Sequence, residues 1–396
     1  MTDERKPNPQ TQLTLEEHLA DKTPIIQRID DARFNIGYVA LDIAKEAGLG
    51  VTLKSYQILK KIIDEAKKWI DTKPEYDRFD GFRKFKAIDG IIKEAGFRVK
   101  HGDGERFIKE GFETDEISCL PPVLIYLSVA EALGLPIRAV NTPRHISVIW
   151  EPFGERSFYW DPTMAEDCGV EVTKEQYIEM FNLEPKHIAE GLLLNVLDRK
   201  QVLARVFNNR GIARQDTDIT GALHDFQESA RLDPNYADVY PGIAGIYLLK
   251  GDYDKALENS ERAVALNPTL STAFMLRGFC YAVKKKSAGA LLHAGAVLDI
   301  YKAINLADNN PMDKTRGIVE QAYAMLSTIY SMHGDFSNAI LALTDAIKIN
   351  PKFADAYKAR AELYQEIALR NMEEHDRLVK SGEAVQFDHI TIKLPK

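Results

Sequence analysis

Cys119, His145 and Asp161 stand in that order within a single stretch of the chain, and together they carry the chemistry of a nucleophile, a base and an orienting carboxylate. A thiol of ordinary acidity is a poor nucleophile at neutral pH. It becomes effective when a positive helix end and an imidazole favour the thiolate, and when a carboxylate fixes the imidazole tautomer. The pattern is that of a thiol-dependent hydrolase or acyltransferase. The sulfur attacks a carbonyl, the imidazole takes and returns the proton, and the carboxylate holds the ring.

Each side chain needs an element to position it. Cys119 opens the run CLPPVLIYLSVAEALGLP, in which Val123, Leu124, Leu127, Ala130 and Leu133 recur at helical spacing and Gly134 with Pro136 supply a stop. Pro121 and Pro122 suit a first helical turn, whose amides have no intrahelical acceptor to lose. The thiol is therefore expected at a helix N-terminus, where orphan donors and the macrodipole favour a thiolate. The next run, IRAVNTPRHISVIWEP, reads as two strands around a turn at Asn141 to Pro143. His145 begins the second strand and shares a face with Ser147 and Ile149. A third strand, SFYWDPT, ends at Asp161.

At these residues the sequence resembles the transglutaminase-like superfamily of papain-like cysteine hydrolases. The matching features are Cys119 heading a helix that closes with Ala132-Leu133-Gly134-Leu135-Pro136, His145 at a strand start, and Trp160-Asp161-Pro162-Thr163 after an aromatic strand. The resemblance covers residues 80 to 165. It implies an α+β domain with helices packed on a small antiparallel sheet, and a Cys119, His145, Asp161 triad acting on amide bonds of peptides or proteins. Water or an amine could resolve the acyl-enzyme, so protease and transglutaminase both stay open. The rival expectation is a catalytically inactive adaptor that keeps the fold and binds protein partners.

Other chemistries find little support. Cys168 and Cys280 are expected to be small buried hydrophobes. No CxxC, HxxxH or paired-histidine spacing marks a metal site, and HGDGE at 101–105 reads as a surface turn without the strand and helix of a phosphate loop. Neither a metal nor a cofactor is expected.

The second half is built on an internal repeat. SARLDP, AVALNP and AIKINP end at Pro234, Pro268 and Pro351, each closing a small-residue helix with Asx-Pro. Between Ala237 and Pro268, residues Tyr240, Ala244, Tyr247, Gly251, Ala256 and Ala263 fall where a tetratricopeptide repeat places its aromatic and small residues. Tyr323, Leu326, Tyr330, Gly334, Ala339 and Ala346 repeat the pattern. A first unit carries Gly211, Ala222, Phe226 and Ser229, a third is lengthened by KKKSAGALLHAGAV, and a partial fifth begins near Asp355. The resemblance implies an all-α TPR solenoid whose groove receives a protein or peptide, substrate or partner. Asn208, Asn209 and Arg210, on the first repeat helix, are candidates to hold that peptide.

Composition sets the remaining bounds. A formal net charge of −8 over 396 residues argues against general nucleic-acid binding. Three scattered cysteines form no disulfide framework, and no apolar run is long enough for a bilayer or a leader, so a soluble cytoplasmic protein is expected. Residues 1–25 read as a disordered tail, 26–198 as the transglutaminase-like domain, 199–380 as repeats, and 381–396 as a tail or docked strand, from the alternation of Ile390, Ile392 and Leu394. Helices are expected over Phe34–Ala47, Leu53–Ile70, 81–96 and Glu171–Asn195, the last as the junction with the repeats. Oligomeric state stays open.

Overall fold

The computed structural model describes residues 12–73, 80–94, 120–142, 145–152, 154, 156–163, 169–180, 194–284, 290–309, 313 and 317–381. Cys119, Cys168, the HGDGE turn and the strand-like C-terminal segment lie outside them. The chain forms two compact units, Met1–Pro268 and Thr269–Lys396.

The first unit is organised around a buried helix. Helix α6 (Leu120–Leu133) is apolar on nearly every face, and Leu120, Val123, Leu124, Ile125, Tyr126, Val129 and Ala130 are all buried. A helix apolar all round must be covered on all sides. Its covers are α3 (Ile36–Glu46), α4 (Leu53–Asp71) and strands β1 (Ile137–Thr142) and β2 (His145–Trp150). Helix α3 can come close because Gly37 lacks a side chain; a Cβ there would stand 2.1 Å from Ser128 Oγ and 2.7 Å from Leu59 Cδ2. Gly134, at φ +66°, ends α6 and Pro136 follows, so the stop lies where the sequence puts it.

Strands β3 (Phe158–Asp161), β4 (Val170–Val172) and β5 (Asn195–Leu197) complete a sheet of order β4-β3-β2-β1-β5, antiparallel throughout. Thr142 pairs with His145 across the β1–β2 turn, and Val148 pairs with Trp160. Helix α5 (Gly81–Glu94) lays Phe85 against Tyr126, Trp150, Phe158 and Trp160, an aromatic cluster that joins the sheet to α6.

Three expectations need correction. The N-terminal tail is shorter than 25 residues, because helix α1 (Leu15–Ala20) forms within it, closed by a Thr14–Glu17 capping box and anchored by buried Leu15 and His18; α2 (Ile25–Arg28) follows. Among the described residues of Glu171–Asn195 there is one short helix, α7 (Lys174–Met180), and the two ends of the segment lie in the edge strands β4 and β5. Packing also runs on past residue 198. Helix α8 (Arg199–Arg214) packs on α3 and places Val202, Leu203, Ala204, Val206 and Phe207 in the same core. Arg199 ties the joint, donating to Ile29 O at 2.8 Å, Phe34 O at 2.6 Å and Glu131 Oε1 at 2.6 Å. Glu131, on α6, also accepts from the Ile36 amide at 2.7 Å.

Helix α8 pairs with α9 (Ile219–Leu232), and α10 (Val239–Leu249) pairs with α11 (Tyr253–Leu266). Phe226 is fully buried between Gly211 and Gly242, where any Cβ would stand 2.7 Å from its ring. The second unit pairs α12 (Ser271–Lys284) with α13 (Ala290–Asp308) and α14 (Ile318–Met332) with α15 (Phe336–Ile349), before a long α16 (Ala354–Ser381). Hairpins α10–α11 and α14–α15 turn at Gly251 (φ +74°) and Gly334 (φ +76°), a left-handed conformation that side chains resist, and Asp252 and Asp335 then cap the second helix. Ala256, Ala263, Ala339 and Ala346 are fully buried and let paired helices approach. Among the described residues no helix is long and apolar enough to cross a membrane.

Candidate functional site

His145 and Asp161 are brought together by sheet register. Val148 faces Trp160, so Asp161 lies opposite Ser147 and His145 is two residues further along on the same face. Diagonal neighbours of this kind are within reach of long side chains. His145 Nε2 stands 2.5 Å from Asp161 Oδ2, and the two side chains are 8% and 0% exposed.

The carboxylate has further partners. Its Oδ1 accepts from the Thr163 amide at 2.9 Å and from Thr163 Oγ1 at 2.7 Å, and its Oδ2 accepts from the Tyr177 hydroxyl at 3.0 Å. Burial pushes the Asp161 carboxyl up, but the charge of His145 and the hydrogen bonds from His145 and Thr163 outweigh it and hold the group below the usual carboxylate range. An ionised carboxylate only accepts, so the neutral ring must carry its proton on Nε2. The proton-accepting nitrogen of His145 is then Nδ1.

Cys119 lies outside the described residues. Its chain neighbour Leu120 opens α6, which packs on β1 and β2. Cys280 is fully buried in α12, as expected of a small hydrophobe. No group of three metal-ligating side chains occurs among the described residues.

The peptide-holding role expected of the α8 residues fails for Arg210. Its guanidinium is buried and committed internally, donating to Ile43 O at 2.8 Å and Glu46 Oε2 at 3.0 Å and pairing with Asp225. Asn208 is buried as well, while Asn209 is only half-buried. The reason is that α8 packs against α3 and α9, and Ile43 on α3 with Asp225 on α9 hold the guanidinium inside.

Two residues of the site were given no role from the sequence, although Thr163 stands in the matched Trp160-Asp161-Pro162-Thr163 segment. Thr163 carries a local signal, since a residue two positions after an aspartate commonly donates its amide to the carboxylate. Tyr177 carries none, because only the fold joins α7 to the end of β3.

Residues 237–270 and 320–353 match the family model described as tetratricopeptide repeat, the two hairpins α10–α11 and α14–α15. The chain carries tetratricopeptide repeats. Similar proteins include the photosystem I assembly protein Ycf3 of Prochlorococcus marinus (strain MIT 9211), 31% identical over 106 residues, which are 26% of this chain and 61% of that protein. The human SGT1 homolog is 32% identical over 98 residues, 24% of this chain and 27% of that protein. The chain thus spans less than two thirds of the length of these relatives. Among solved structures, MamA is 22% identical with a TM-score of 0.30, covering 42% of this chain and 94% of the other. A thermophilic TPR protein of Thermus thermophilus is 16% identical with a TM-score of 0.34, covering 46% and 94%.

Proposed function

We propose that this chain is a protein-interaction protein whose tetratricopeptide hairpins hold a partner protein. The observation that carries this reading is the match of α10–α11 and α14–α15 to the repeat model. Stacked helical hairpins expose more surface than their own stability requires, and that surface suits an extended peptide or a partner's helix. One group of relatives is named for assembling photosystem I; assembly or adaptor work on some protein complex is the corresponding role here. Photo-crosslinkers on the two matched hairpins test it, and trapping no discrete partner from either would sink it.

A second reading is favoured by one specific observation, the buried His145–Asp161 contact with Thr163 and Tyr177 behind it. In this reading the N-terminal unit is a transglutaminase-like domain. Cys119 attacks an amide carbonyl, His145 Nδ1 takes the thiol proton and returns it to the leaving amine, and Asp161 holds the ring. The repeats then recruit the protein that is cleaved or modified. Iodoacetamide labelling of Cys119 against pH, in the parent and in His145→Ala, separates the readings. Fast labelling below pH 7 that slows in the variant supports thiol chemistry; labelling no faster than at Cys168 leaves the adaptor.

A further inference from the structure

We propose that Tyr177 is a positioning residue of the His145–Asp161 pair, fixing which carboxylate oxygen meets the imidazole and moderating how strongly it holds the ring's proton. The inference rests on the thiol-chemistry reading for its purpose, but its geometry stands independently.

A carboxylate held only by His145 and Thr163 would keep one lone-pair direction of Oδ2 open. Tyr177 fills it: its hydroxyl lies 3.0 Å from the same oxygen that meets His145 Nε2 at 2.5 Å. With Thr163 supplying two donors to Oδ1 at 2.9 and 2.7 Å, four hydrogen bonds surround the carboxylate, two per oxygen, and rotation about the Cβ–Cγ bond would break all of them. Tyr177 is fully buried, so its hydroxyl cannot exchange this bond for one to bulk water. Among the described residues, the titratable side chains touching Asp161 are His145 from β2 and Tyr177 from α7; Thr163 is neutral.

The electrostatic consequence has a definite sign. Each neutral donor withdraws part of the carboxylate's charge, and less charge on Oδ2 means less stabilisation of a protonated imidazole. Without the Tyr177 hydroxyl the carboxylate holds the imidazolium more tightly, and the ring becomes a stickier proton acceptor. With it, His145 can both take a proton and give it up, as the two halves of an acyl-transfer cycle require.

The test is Tyr177→Phe, which keeps the ring and removes only the hydroxyl. Nitrogen NMR of the full chain follows the His145 titration, and the rate of iodoacetamide labelling at Cys119 is measured in parallel. The proposal expects the His145 midpoint to move up by about half to one pH unit, and Thr163→Ser, which keeps both donors, to leave it in place. A midpoint that does not move in a folded Tyr177→Phe chain overturns the proposal, since a purely packing role predicts just that. If Cys119 labels slowly in the parent, the thiol-chemistry reading fails, while the titration still reports on Tyr177.

Discussion

Asp161→Asn separates orientation from charge at the site. The amide has the shape of the carboxylate but only one oxygen. Thr163 presents a backbone N–H that can never accept, so the amide oxygen must turn to that end, leaving the NH2 group facing His145 and Tyr177. A hydroxyl can swing to accept, whereas a protonated ring nitrogen cannot. Neutral His145 therefore has to release its proton from Nε2 and carry it on Nδ1, the position needed to deprotonate a thiol. Most hydrogen bonds survive this rearrangement, so the stability cost at neutral pH should be small, about 1–2 kcal/mol. The chemical cost should be larger. A thiol of ordinary acidity is about 1% ionised at pH 6.5. An ion pair with imidazolium would raise that about 100-fold, less about 10-fold for the lower nucleophilicity of an acidic thiol. Labelling of Cys119 at pH 6.5 should thus fall about 10-fold, and nitrogen NMR should find His145 protonated on Nδ1. Acid narrows the stability gap. The depressed Asp161 carboxyl contributes stability that is complete above its ordinary value of 3.8 and is lost as pH falls through its folded value, so parent and variant should converge below that point. A folded variant that keeps its proton on Nε2 would refute the reasoning.

Other predictions concern the frame. Gly37→Ala forces a methyl into Ser128 Oγ and the Leu59 side chain, where α3 crosses α6; after the gain in helix propensity it should cost about 2 kcal/mol, read as a fall of roughly 4–8 °C in the melting temperature of the first unit. Arg210→Met should cost about 3 kcal/mol in urea unfolding, towards the low end for a broken buried pair because Arg214 still reaches Asp225 at 3.0 Å. The double change with Asp225→Met should recover part of that loss, and a single-variant cost under about 1 kcal/mol would mean the pair is idle.

Much of the frame could be read from local patterns. The α6 helix announces itself by apolar spacing and its Gly134–Pro136 stop, and the repeat hairpins by small and aromatic residues at fixed offsets with Gly251 and Gly334 at the turns. His145 and Asp161 were legible because each begins or ends a short strand, and strand order then decides whether they meet. What was hidden depended on contacts between distant segments. Tyr177 lies sixteen positions after Asp161 and reaches it only because α7 folds back on β3. Arg210 reads as a peptide-holding residue of the repeat groove, yet Asp225 on α9 and Ile43 on α3 draw it inside. Leu15 and His18 look like part of a polar tail until the α3–α6 core gives them a surface to cover. Strands β4 and β5 are three residues each, too short for periodicity to declare, and exist through their pairing with β3 and β1.

Photo-crosslinking bears most directly on the proposed role. A benzophenone side chain would be placed at Leu248 on α10, at Thr328 on α14 and, as a control, at Lys61 on the exposed face of α4. The full chain, illuminated in lysate of its source cells, should yield a discrete partner protein from Leu248 or Thr328 and not from Lys61. Crosslinks of equal pattern and yield from all three positions, or none from the hairpins, would contradict the account.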